Sequence, residues 1–125
     1  MTEGTQRPMS RQAMLKQPYP LNMILNLLVA TVLELPELTD DVLAGLECAL
    51  LMLTDREREV LHQRYEERKT YSAIGAAFHV TVSTIQKNEY SAVRKLRHRQ
   101  IIGYILYGKD GFAQREYTYH FMKNT

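Results

Sequence analysis

Three threonines constrain this chain more than any other feature. Thr54, Thr70 and Thr81 each stand directly ahead of a stretch whose apolar residues recur at helical spacing. Threonine is a favoured helix N-cap because its hydroxyl accepts from an otherwise orphaned backbone amide. Thr54-Asp55-Arg56-Glu57 is a complete capping box, in which Glu57 reaches back to the cap amide. The helix it opens places Val60, Leu61 and Tyr65 on one side and ends near Arg68. Thr70 opens a short helix with Ile74, Ala77 and Phe78 as its apolar face. After a tight turn at His79-Val80, Thr81 opens a longer, basic helix with a buried stripe of Ile85, Ala92, Val93 and Leu96.

Two short-linked helices, the second longer and basic, form the helix-turn-helix pattern. Gly75 falls where the helices cross, so a side chain there would hold them apart. Phe78, Val80 and Ile85 form a small core behind the turn. His79 sits where such a turn needs a left-handed residue, and histidine is among the types that tolerate positive φ.

Residues 1–20 read as a polar, proline-bearing arm, expected to stay mobile unless a partner holds it. Residues 21–50 hold the N-terminal helices. The first runs from Leu21 to Leu35 and is stopped by Pro36; Thr39 or Asp40 caps the second. Residues 51–99 are the helix-turn-helix domain, and 100–125 a C-terminal extension. In that extension Ile101–Tyr107 and Gln114–Phe121 flank a turn at Lys109-Asp110-Gly111. The pattern fits a small β hairpin or a continuation of the long helix followed by a loose tail. The acidic, leucine-rich segment Glu34–Leu53 needs an apolar surface to pack on, either the helix-turn-helix core or a second copy of the chain.

Length and composition exclude several classes. The chain of 125 residues is enough for one compact domain and too short for most cofactor-bearing enzymes. No nucleophile–base pair, glycine-rich phosphate loop or metal-ligand set is recognisable, so no catalysis, cofactor or metal site is expected. His62, His79, His98 and His120 lack ligand spacing, and Cys48 is read as a small core residue. The single cysteine suits a reducing compartment, most simply the cytoplasm. The longest apolar run, Ile24–Leu33, is too short to span a bilayer, so no membrane is expected. Net charge is only +2, but it is polarised: residues 36–60 carry seven acids and two bases, residues 61–99 eight bases and three acids. The basic half is where an anionic partner belongs.

Leu53-Thr54-Asp55-Arg56-Glu57-Arg58-Glu59-Val60-Leu61-His62-Gln63-Arg64-Tyr65 resembles the start of region 4 of the sigma-70 family. Thr70–Thr81 resembles that region's first helix and turn, and Arg94-Lys95-Leu96-Arg97-His98 the end of its recognition helix. The likeness spans residues 51–99 and is more specific than a bare helix-turn-helix, because both flanks agree in order and spacing. It implies an all-α fold, a small helical domain with a C-terminal helix-turn-helix of winged-helix-like or sigma region 4 type. It further implies a stand-alone regulator of the kind found in phages and mobile elements. The roughly 50 residues ahead of the match are too few for a promoter-melting region, so a complete sigma factor is not expected.

In that family the module reads the upstream promoter element and docks on the flap of the RNA polymerase β subunit. Carried over by position, Arg56 and Arg64 are implied phosphate contacts. Thr70 and Tyr71 fall where a helix N-terminus meets the DNA backbone. The base-reading turn falls on Val82, Ser83, Thr84, Gln86 and Lys87, with the cap Thr81 also at the DNA, and the basic patch on Arg94, Lys95 and Arg97. The family's Arg-Glu pair is replaced by Val82-Ser83, and its following arginine by Gln86, which argues against the usual promoter sequence. Val82 on a thymine methyl and Gln86 on adenine point to an A·T-leaning site. Asn88 stands at an apolar position of the family pattern.

The leading expectation is a sequence-specific DNA-binding transcription regulator with double-stranded DNA as partner. The alternative is an interaction protein that binds the polymerase flap or competes with a sigma factor for it. A homodimer is a further partner to test. Set against these, Arg94–Arg99 also fits a solvated helix face, and the tail tyrosines Tyr104, Tyr107, Tyr117 and Tyr119 fit terminal packing better than stacking on single strands.

Overall fold

The computed structural model describes residues 10–28, 37–98, 101–103, 105 and 108. Among these, every regular element is helical: α1 (Arg11–Leu15), α2 (Leu21–Leu28), α3 (Asp40–Leu50), α4 (Asp55–Leu61), α5 (Tyr71–Phe78) and α6 (Val82–Leu96). A π-helical turn, His62–Glu66, continues α4. The fold is all-α.

Local chemistry sets the helix starts. Ser10, Thr39, Thr54, Thr70 and Thr81 each accept a hydrogen bond from the amide three residues on. Thr39, not Asp40, therefore caps α3, leaving Asp40 and Asp41 in the first turn against the positive end of the helix dipole. The capping box at Thr54 is closed in both directions, at 3.1 Å and 3.0 Å.

The segment read as a polar arm contains a helix. Met14 of α1 is buried against Leu21 and Leu25 of α2, and its neighbour Leu15 packs, half-buried, on the main core. The expected helix Leu21–Leu35 is observed as α2; residues 29–36 lie outside the described residues. The main core joins Met23, Ile24 and Leu27 of α2 to Leu46 and Ala49 of α3, Leu61 and Tyr65, and Ala92, Val93 and Leu96 of α6. The leucine-rich segment thus covers the helix-turn-helix core of its own chain. A second cluster behind the turn unites Val60, Ile74 and Ile85, with Phe78 and Val80 packed against it. Ala77 is exposed, so the apolar face of α5 is narrower than its sequence suggests.

Beyond α6, residues 101–103 and 105 are helical, and Ile105 enters the main core. Of the two readings of the extension, a helix stands at these positions, although α6 itself ends at Leu96. The segment Gln114–Phe121 lies outside the described residues. No helix among the described residues is long and apolar enough to cross a membrane.

Candidate nucleic-acid interface

The turn between α5 and α6 is built by two residues. His79 ends α5 in the left-handed conformation, with φ 60° and ψ 40°. Gly75 lets the backbones touch: a Cβ there would lie 2.8 Å from the Val80 carbonyl oxygen. That approach fixes how α6 leaves the turn. Its outer face carries Val82, Ser83, Gln86, Lys87, Tyr90 and Arg94, all exposed. Thr81 caps α6 and shares a 3.0 Å hydroxyl contact with the half-buried Thr84. No acid stands in the first turn of α6, so its amides keep their positive potential.

Two arginines stand on the elements packed beside α6. The Arg56 guanidinium lies 4.5 Å from the centre of the Phe78 ring, and that of Arg64 lies 4.2 Å from the Tyr71 ring. Stacking holds a planar guanidinium in place and leaves its N–H edge free to meet an anion. The Thr70 hydroxyl is occupied by the Ala73 amide, and Tyr71 donates to Glu89 at 2.6 Å.

Beneath this surface lie two buried carboxylate centres. Glu89 accepts from the hydroxyls of Tyr65 (2.7 Å) and Tyr71 (2.6 Å), and Tyr65 in turn accepts from Asn26 of α2. Burial and the Glu89 charge both push the Tyr65 and Tyr71 hydroxyls above the usual phenol range, so they remain donors. Glu57 takes the Thr54 amide, the Ser91 hydroxyl and the Lys95 ammonium, the last two at 2.8 Å. Burial opposes its charge, but the Lys95, Thr54 and Ser91 hydrogen bonds prevail and hold its carboxyl down at about 2.

Residues 49–98 match the family model for sigma-70, region 4. They form a sigma-70 region 4-like helix-turn-helix domain. No curated protein and no solved structure is significantly similar to the chain. The match agrees with the sequence likeness over 51–99 to within two residues at either end.

Within this region 4-like domain, the geometry divides the expected site residues. Val82, Ser83, Gln86, Lys87 and Arg94 share one exposed face of α6, with Thr81 exposed at its start. Arg56, Arg64, Thr70 and Tyr71 stand on α4, the π-helical turn and α5, which adjoin it. Lys95 and Arg97 are exposed, but their charged groups are engaged by partners within the chain. Lys95 pairs with Glu57, and Arg97 donates to the carbonyls of Asn26 and Leu27 at 2.7 Å and 3.0 Å. Those carbonyls belong to α2, so Arg97 ties α6 to the N-terminal helices. Glu57 therefore does more than cap α4. Asn88 is half-buried, and its Oδ1 has no partner among the described residues, the outcome of placing an amide at an apolar position.

Sequence reasoning passed over Tyr90, which is 69% exposed on the same face of α6. Its signal was present in the four-residue spacing Val82, Gln86, Tyr90, Arg94. It also passed over Glu89, whose role depends on tyrosines 24 and 18 residues away.

Proposed function

We propose that the chain is a sequence-specific transcription regulator of the cytoplasm that lays the outer face of α6 in the major groove of DNA. The observation that carries this reading is that face: Val82, Ser83, Gln86 and Lys87 at the open end of α6, followed by Tyr90 and Arg94, with no acid among them. Arg56, Arg64, Lys87 and Arg94 then serve as phosphate contacts, and Val82, Ser83 and Gln86 as base readers. Thr70, Tyr71, Thr81 and Thr84 position the two helix N-termini. An apolar Val82 and an amide at Gln86 favour A·T pairs.

Selection of fragmented genomic DNA on the purified chain, with sequencing of the bound pool, tests the reading. An enriched A·T-leaning motif is expected. Roughly four phosphate contacts imply a log–log salt slope near −3.6. A flat pool together with a slope near zero would remove the reading. A single module binds weakly alone, so a second copy or RNA polymerase supplies the remaining affinity.

One observation favours the second reading, docking on the RNA polymerase β flap. Leu51 and Met52, in the turn between α3 and α4, are 72% and 53% exposed. Alanine at Lys87 and Arg94 should abolish DNA binding and spare polymerase binding; alanine at Leu51 and Met52 should do the reverse.

A further inference from the structure

We propose that a cleft between the N-terminal helices and the helix-turn-helix is a seat for a phosphate group. Arg11 of α1, Arg64 of the π-helical turn and Arg68 beyond it line a cavity of about 120 Å³, with Asn22, Tyr71 and Glu89 in its wall. Arg11 lies outside the region 4-like segment, so the seat joins two parts of the chain.

The wall is electrically one-sided. Arg68 has backbone φ 58° and donates through Nη2 to the carbonyls of Gln17 and Lys16, at 2.8 Å and 3.3 Å. Arg64 stacks on Tyr71 and donates through Nη1 to the Lys69 carbonyl. Each guanidinium carries five N–H donors, so most of them remain for a ligand. Arg11 makes no hydrogen bond or ion pair among the described residues. Glu89, the one acid in the wall, has its two oxygens committed to Tyr65 and Tyr71. Three cations thus face a single carboxylate that is already hydrogen-bonded.

Asn22 stands in the same wall and is only 2% exposed; its Nδ2 donates to the Tyr65 carbonyl, which ties the wall to the π-helical turn. The occupant must offer negative oxygens to the arginines. Hydrogen phosphate, a phosphate monoester or a DNA phosphodiester supplies them. The cavity is roomy enough for a tetrahedral oxyanion. Phosphate is favoured over carboxylate because three arginines line the cleft, and tetrahedral oxygens can serve more than one of them.

Only the source of the phosphate rests on the DNA-binding reading. Arg64 and Tyr71 belong to the proposed backbone-facing surface, so a DNA phosphate in this seat would extend that grip to α1. Two titrations of the full chain and of Arg11→Gln test the seat. One measures affinity for a mixed-sequence duplex as a function of salt; the other follows the Asn22 side-chain amide by NMR as inorganic phosphate is added. Arg11 is exposed and outside the core, so the variant should melt like the parent.

If DNA supplies the phosphate, Arg11→Gln should flatten the salt slope by about 0.9 without altering base preference. If a free phosphate-bearing molecule supplies it, inorganic phosphate should shift the Asn22 amide saturably in the parent and not in the variant. Either result supports the seat and names its source. If neither occurs while the parent still binds duplex, the seat is overturned and the DNA reading stands. A saturable phosphate response in a parent that binds no duplex would uphold the seat and remove the DNA reading.

Discussion

Glu57 holds two helices together through one carboxylate. Its Oε1 accepts from both the Thr54 amide and the Lys95 ammonium, and its Oε2 from Ser91. The charged form is the one these donors favour, so its carboxyl lies near 2 and not near 4.5. A lowered carboxylate pKa contributes stability that is complete above about 4.5 and is lost as pH falls toward 2. Acid titration of the unfolding free energy should therefore show a steep limb in that window. Glu57→Gln should flatten the limb and cost about 2 kcal/mol at neutral pH, read by denaturant melts. Arg97 and Arg94, three positions apart, should part company in the same way. Arg97→Met removes two bonds to α2 carbonyls and should cost roughly 1–3 kcal/mol while leaving the DNA salt slope unchanged. Arg94→Met should leave the melt alone and flatten the slope by about 0.9.

At the scale of elements, the turn between α5 and α6 carries a local conflict that the tertiary contacts overcome. His79 adopts a conformation that disfavours a β-carbon. His79→Gly should raise stability by about 0.5–1 kcal/mol in thermal melts, with the outer face of α6 unmoved. The helix starts were legible in the sequence because a cap is local: Thr39, Thr54, Thr70 and Thr81 each act on an amide three residues away. The small core behind the turn was legible for the same reason, since Phe78, Val80 and Ile85 lie within eight positions. What could not be read was partnership at long range. Lys95 and Arg97 look like any basic helix end until Glu57 and the α2 carbonyls are brought beside them. α1 was hidden because five residues with one buried side chain, Met14, produce no periodic signal.

At the scale of the whole molecule, the charge asymmetry of the sequence is folded back on itself. The acidic half meets the basic half through Glu57 and Lys95, while the outer face of α6 keeps its cations without acids. The N-terminal helices are joined to the helix-turn-helix module by polar bonds as well as by apolar packing. Asn22 and Asn26 bind Tyr65, and Arg97 binds α2 from 71 residues away. That last span has a consequence in time. A ribosome adds roughly 5–20 residues per second, so α2 is made about 4–14 s before Arg97. Until then Met23, Ile24 and Leu27 have no α6 to lie against. A nascent chain of this design spends its first seconds as a greasy, unfinished peptide, and its yield in a living cell should depend on how quickly the last third is translated.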